Sequence, residues 1–211
     1  MVLTLTTGTL DAVSFLRLGK VFSSVITGNL ALLGVAAGEH DAVLALNGGL
    51  ALAGYGCGVL AGGAIAGTPQ RDQPVWPLRV TIALAAELAV LAAFSGQWLA
   101  DGGHPAGASR HALLLLAAAA MGMQSTAVRR LGQISTTYLT STLTGILTAL
   151  AIRRWPAAWQ RSSGILIIAA TGAALGALAV TYSPLWVPAA VLTPIAAVLA
   201  GSVTLTRMDR R

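Results

Sequence analysis

Apolar and polar positions alternate along the chain on a long scale, dividing it into eight apolar segments with short polar breaks. The segments run from about Val2 to Leu16, Val21 to Gly38, Ala42 to Gly67, Val80 to Leu99, His111 to Val128, Ile134 to Ile152, Gly164 to Tyr182 and Leu185 to Leu205. The breaks fall at Arg17/Lys20, Glu39-His40-Asp41, Thr68 to Pro77, Asp101 to Arg110, Arg129/Arg130, Arg153 to Arg161 and Ser183-Pro184. Uncharged apolar runs of about 18 residues or more read as membrane helices, and Ser162 to Thr206 carries no charge at all. The pattern predicts an all-α integral membrane protein, one membrane domain over residues 1–211.

Shifting the first four segments by 113 positions lands on the last four. Arg17 then matches Arg130, Leu18 matches Leu131, Gly19 matches Gly132 and Thr27 matches Thr140, while Asp11 falls on Gln124. The chain reads as a duplication, with one repeat at about 1–100 and the second at about 110–208.

Loop arginines and lysines test how many segments cross, because cytoplasmic loops collect them. If all eight cross, the thirteen basic residues divide six to seven and give no orientation. If the second and sixth segments enter and leave on one side, the division becomes ten to three. That favours six spans plus two re-entrant or broken segments, with both termini in the cytoplasm. Three crossings per repeat is an odd number, so the repeats would be inverted, as in many transporters.

The two proposed re-entrant segments open on hydroxyl-rich runs, Phe22-Ser23-Ser24-Val25 and Ser135-Thr136-Thr137-Tyr138. Such runs have modest helix propensity, and non-helical backbone at membrane depth is tolerated only where protein or water surrounds it. An extended stretch leading into a half-helix is expected in each repeat, with helices beginning near Thr27 and Thr140. Their N-termini would aim free N–H groups and positive dipole ends at the midplane, where a small anion or polar solute could sit.

Composition agrees with the class and removes several functions. Hydrophobic residues make up 55% of the chain and charged residues 9%, far from the roughly one quarter charged of a soluble domain. The net charge of +6 could suggest nucleic acid, but the basic residues stand singly or in pairs between apolar segments and form no stripe. The lone Cys57 excludes an intrachain disulfide and a cysteine metal cluster, and in an apolar run it reads as a small hydrophobe. The start of the chain lacks the positive region of a secretory signal and reads as part of the first span. His40, His104 and His111 have no ligand-like spacing. Trp76, Trp98, Trp155, Trp159 and Trp186 fall near span ends and read as interfacial anchors. No phosphate loop, serine elbow or paired-histidine helix is present, so neither an enzyme nor a cofactor is expected.

Candidate site residues follow from cost. A carboxylate inside a span is expensive and by default functional, which singles out Asp11 as a proton carrier, a cation ligand or a partner for Arg17 or Arg130. The duplicated polar positions Thr27, Gly28, Asn29, Gln124, Thr137, Thr140 and Thr142 would join it in one substrate site, with Glu87 and Arg130 as secondary candidates. Each Ser or Thr taken alone has a plainer explanation, since small hydroxyl residues also serve helix packing. The same holds for Gly54, Gly58 and Gly62, echoed by Gly172 and Gly176, where internal packing is favoured over a dimer face. A homodimer is expected because so short a chain offers few helices to enclose a path, with the stripe of Gly54, Gly58 and Gly62 at or near its interface.

The run Leu10 to Leu16, then Gly19, Val21-Phe22, Thr27-Gly28-Asn29 and Leu33-Gly34, resembles the first signature of the YoaK-like family of small bacterial membrane proteins. Gly122-Met123-Gln124-Ser125, Val128-Arg129-Arg130 and Thr136 to Thr140 resemble its second. The resemblance implies a multi-pass protein of the bacterial plasma membrane and supplies no substrate. The expected function is a transporter of a small polar or anionic solute with a midplane site between the repeats. A passive channel uses the same motifs, and a non-transporting scaffold would tolerate neutral replacements at Asp11, Thr27 and Asn29.

Overall fold

The computed structural model describes residues 2–68, 76–131, 139–152 and 159–208. These form eight α-helices: α1 (Val2–Arg17), α2 (Ile26–Glu39), α3 (Ala42–Ala66), α4 (Leu78–Ala100), α5 (Gly107–Arg130), α6 (Leu139–Ala151), α7 (Trp159–Tyr182) and α8 (Val187–Met208), with a single 3₁₀ turn at Pro184–Trp186 before α8. Each helix falls within or close to one predicted apolar segment. Five helical stretches, Ala42–Ala66, Leu78–Ala100, Gly107–Arg130, Ser163–Tyr182 and Pro184–Ser202, are long and apolar enough to cross a membrane. Leu46, Leu60, Ile167 and Leu178 stand exposed on the outside, a surface suited to lipid. The chain is a membrane protein.

The remaining helices are short. α2 has 14 residues and α6 has 13, about 21 and 20 Å at 1.5 Å per residue. They begin one residue before Thr27 and Thr140, close to where the sequence placed the half-helices. The stretch before α2 is non-helical over residues 18–25, as expected of its Ser-rich run. Its counterpart, residues 132–138, lies outside the described residues.

Packing interleaves the two halves. α5 lies against α3 and α4, and correspondingly α1 lies against α7 and α8. The pairs α2–α3 and α6–α7, and α3–α4 and α7–α8, match in the same way, while α4–α8 and α1–α5 join the halves directly. The first helix of each half thus packs on the third helix of the other, so neither half has a complete core of its own.

Small residues make these contacts possible. Gly122 of α5 meets the backbone of Tyr55 and Val59 in α3, and Gly8 of α1 meets that of Ala169 and Ala173 in α7. Gly58 and Gly62 meet Ala119 and Met123, as Gly172 and Gly176 meet Leu5 and Thr9. Every residue in one set lies 114 positions from its match in the other, one more than the spacing read from the sequence. The helical register therefore pairs Asp11 with Ser125, not with Gln124. The correction has a simple cause: loops absorb one-residue changes, whereas a slip within a packed helix would rotate every side chain by about 100°.

The glycine stripe is accounted for by the same contacts. A side chain added at Gly54, Gly58 or Gly62 would run into the backbone of α5, so the stripe serves internal packing and is not open to a second copy. Cys57, read as a small hydrophobe, is free and exposed on α3. Trp98 is no interfacial anchor either: it is fully buried, stacks on Phe94 with ring centroids 5.8 Å apart, and donates from Nε1 to the Pro184 carbonyl at 2.8 Å. Trp186 is exposed.

Candidate functional site

Polar groups gather on α1 and the two elements beside it. The run from Thr4 to Asp11 holds four buried threonines, Thr4, Thr6, Thr7 and Thr9, and Thr7 lies one helical turn before Asp11 on the same face. From that face two separate constellations start.

The first closes the break between α1 and α2. Asp11 Oδ1 accepts from Ser23 Oγ at 2.9 Å and from the Ser24 backbone N–H at 2.8 Å, and Oδ2 accepts from Ser24 Oγ at 2.5 Å. A carboxylate taking three donors is well compensated. Through Ser24 it anchors the segment just ahead of α2, whose own N-cap, Val25, makes no side-chain capping bond.

Asn29 closes the same segment from the helix side. It is fully buried; its Oδ1 accepts from the Phe22 N–H at 2.9 Å and its Nδ2 donates to the Phe22 carbonyl at 2.7 Å. Both faces of the amide are spent on backbone. Gly28 lies beside Val25 and Phe22. The turn out of α1 uses Gly19 at φ 124° and Lys20 at φ 62°, a region that glycine enters freely and other residues rarely, and Asn47 Nδ2 donates to the Gly19 carbonyl at 3.2 Å.

The second constellation crosses three helices. Thr7 Oγ1 donates to Gln124 Oε1 at 2.8 Å, and Gln124 Nε2 donates to Glu87 Oε1 at 2.9 Å. The residues come from α1, α5 and α4, and all three are buried, Glu87 completely. Glu87 Oε2 has no hydrogen-bond partner. Thr7 was not singled out in the sequence; its place four residues before Asp11 in a threonine-rich run is the signal that could have found it.

The structure thus separates residues that the sequence placed together. Asp11 and Gln124 take different partners, and Arg17, offered as a partner for Asp11, donates to the Val180 carbonyl at 3.1 Å. Thr27 is exposed. Thr137 lies outside the described residues, and so do the side chains of Thr140 and Thr142. Arg130 ends α5 with Nε and Nη1 buried and without a hydrogen-bond partner. Glu87, a secondary candidate on sequence grounds, is joined to Gln124.

Comparison with known proteins adds a family. A family model described as Protein of unknown function (DUF1275) matches residues 1–200. The UPF0700 transmembrane protein YoaK of Bacillus subtilis (strain 168) is 38% identical over 147 residues, 69% of this chain. The match spans 63% of that relative's own length. No solved structure matches.

Proposed function

The chain belongs to the family described as Protein of unknown function (DUF1275), and from that premise we propose that it transports a small polar or anionic solute across a bacterial inner membrane. The observation that carries the proposal is the buried chain Thr7–Gln124–Glu87, set where α1 and α5 bring the two interleaved halves together. Amide and carboxyl groups buried among membrane helices are costly and mark ion or solute paths by default.

The matched helix contacts support two inverted repeats, three crossings and one half-length helix in each. α2 and α6 are the shortest of the described α-helices and fall well below about 30 Å of hydrocarbon, whereas α1 with 16 residues reaches about 24 Å of it. The ten-to-three division of basic residues supports both termini in the cytoplasm. On the second half's side, the unpartnered donors of Arg130 favour a solute with an anionic or carbonyl oxygen. A homodimer would have to use an outward face, since α5 covers the glycine stripe.

Solute flux is the direct test. The full-length protein in proteoliposomes should give a current or pH change on rapid exchange of at least one of acetate, nitrate, phosphate or glycine, lost in Gln124→Leu. Silence of the wild type across that panel, together with a co-purifying protein partner, would favour the scaffold. Topology is tested by single cysteines in a Cys57→Ala background. His104 is a better outer position than Gly103, whose φ of 78° and packing on Pro184 resist a side chain. Impermeant reagent should label His104→Cys and Glu39→Cys from one face and Arg129→Cys from the other. Labelling of His104→Cys and Arg129→Cys from the same face would rule out the six-span arrangement.

A further inference from the structure

We propose that Glu87 is a reversible protonation site and the coupling group of the transporter, and that the Thr7–Gln124 hydrogen bond seals it from water. The coupling role rests on the transport reading above; the protonation site stands independently of it.

Glu87 is the tenth of the 23 residues of α4, about 14 Å from one end of the helix and 20 Å from the other. No part of it reaches solvent. An ionised carboxylate offers about four acceptor sites, and here one donor, Gln124 Nε2, meets Oε1 while Oε2 meets none. The neutral acid asks far less of its surroundings, and an unpaired charge in such a place is strongly disfavoured.

Among the described residues no charge pairs with it, and on α4 itself Arg79 stands eight residues away. On α5, Arg110 and His111 sit near one end and Arg129 and Arg130 at the other, with Gln124 between. α3 carries Tyr55 and Cys57, and α8 carries no ionisable residue as far as Ser202. Asp11, the nearest acid on α1 to Thr7, is committed to Ser23 and Ser24. A bound metal cation would need several oxygen ligands, whereas the group facing Glu87 is an amide N–H donor.

Thr7 holds that donor in position. Its hydroxyl lies 2.8 Å from Gln124 Oε1 and 3.2 Å from the Leu3 carbonyl, and the nearer acceptor fixes the amide so that it presents Nε2 to Glu87. Movement of α1 away from α5 breaks the one bond and admits water to Gln124 and Glu87. The neutral acid then gives its proton to water on one side, and the carboxylate regains one from hydronium on the other, so that in each step one O–H bond breaks as another forms.

Infrared difference spectroscopy of the full-length protein in lipid, between acidic and alkaline buffer, tests this directly. A protonated-carboxyl stretch that disappears as pH rises should be absent from Glu87→Gln and present in Asp11→Asn. Its hydrogen–deuterium exchange should be about fivefold faster in Thr7→Val, the factor expected for one lost hydrogen bond. Where Glu87→Gln fails to fold, Gln124→Leu provides the second reading, because removing the donor to Oε1 must shift the stretch. A band unaffected by both Glu87→Gln and Gln124→Leu overturns the proposal, as does a band abolished by sodium at constant pH. A Glu87 band in a protein that moves no solute strikes only the transport reading.

Discussion

Two carboxylates lie among the helices and are treated in opposite ways. Asp11 receives three hydrogen bonds from Ser23 and Ser24 and anchors the segment just ahead of α2. Glu87 receives one bond, from Gln124, and leaves its second oxygen unpartnered in a fully buried place. On the proposed reading, the difference separates a fastening from a working group. A satisfied carboxylate holds a chain break in shape, whereas an unsatisfied one is tolerated where its chemistry is used. The more conspicuous acid in the sequence is therefore the more structural one.

Among the two constellations, the largest effect should come from removing the satisfied acid. Asp11→Ala strips acceptors from two hydroxyls and the Ser24 N–H at once, and should cost about 3 kcal/mol, read as a lower melting temperature in detergent. Unchanged melting would mean that the break before α2 is held by Asn29 alone. Thr7→Val removes one buried hydrogen bond between α1 and α5 and should cost about 1 kcal/mol. A loss as large as that of Asp11→Ala would show that the joint between the halves depends on this bond.

Glu87→Gln should change stability least, by about 0.5 kcal/mol or less, because the new amide can still accept from Gln124 and is uncharged like the neutral acid it replaces. Its effect should appear in flux and in the infrared spectrum. A loss of several kcal/mol would make Glu87 a structural partner of the same kind as Asp11 and erase the contrast. Gly58→Leu probes both regions together: it should separate α3 from α5, where Gln124 resides, and prevent folding, since the added side chain meets the Ala119 backbone. A folded Gly58→Leu protein would contradict the interleaved packing.

Much of the architecture was legible along the chain. Apolar runs and their breaks marked the helices, and the Ser-rich stretch before Thr27 marked the break ahead of α2, because helix propensity and hydrophobic length act locally. The sequence also reads as a repeat at one spacing, and the packing contacts follow another. Identities around the loops align at 113, while the contacts of Gly8, Gly58, Gly62, Gly122, Gly172 and Gly176 align at 114. Loop residues tolerate an insertion that packed helices cannot.

The site was only partly legible. Cost alone named Asp11 and Glu87, since a carboxylate in an apolar run stands out in any sequence. Which of them is satisfied depends on neighbours far along the chain: Gln124 reaches Glu87 from 37 residues away and Thr7 reaches Gln124 from 117. The sequence by itself determined a membrane protein of apolar helices with a broken, hydroxyl-rich start before α2. Only the tertiary structure decided which helices interleave, that the glycine stripe faces inward, and which buried acid is left with an empty oxygen. Hydrophobicity and propensity are properties of neighbouring residues, whereas hydrogen-bond satisfaction belongs to the packed fold.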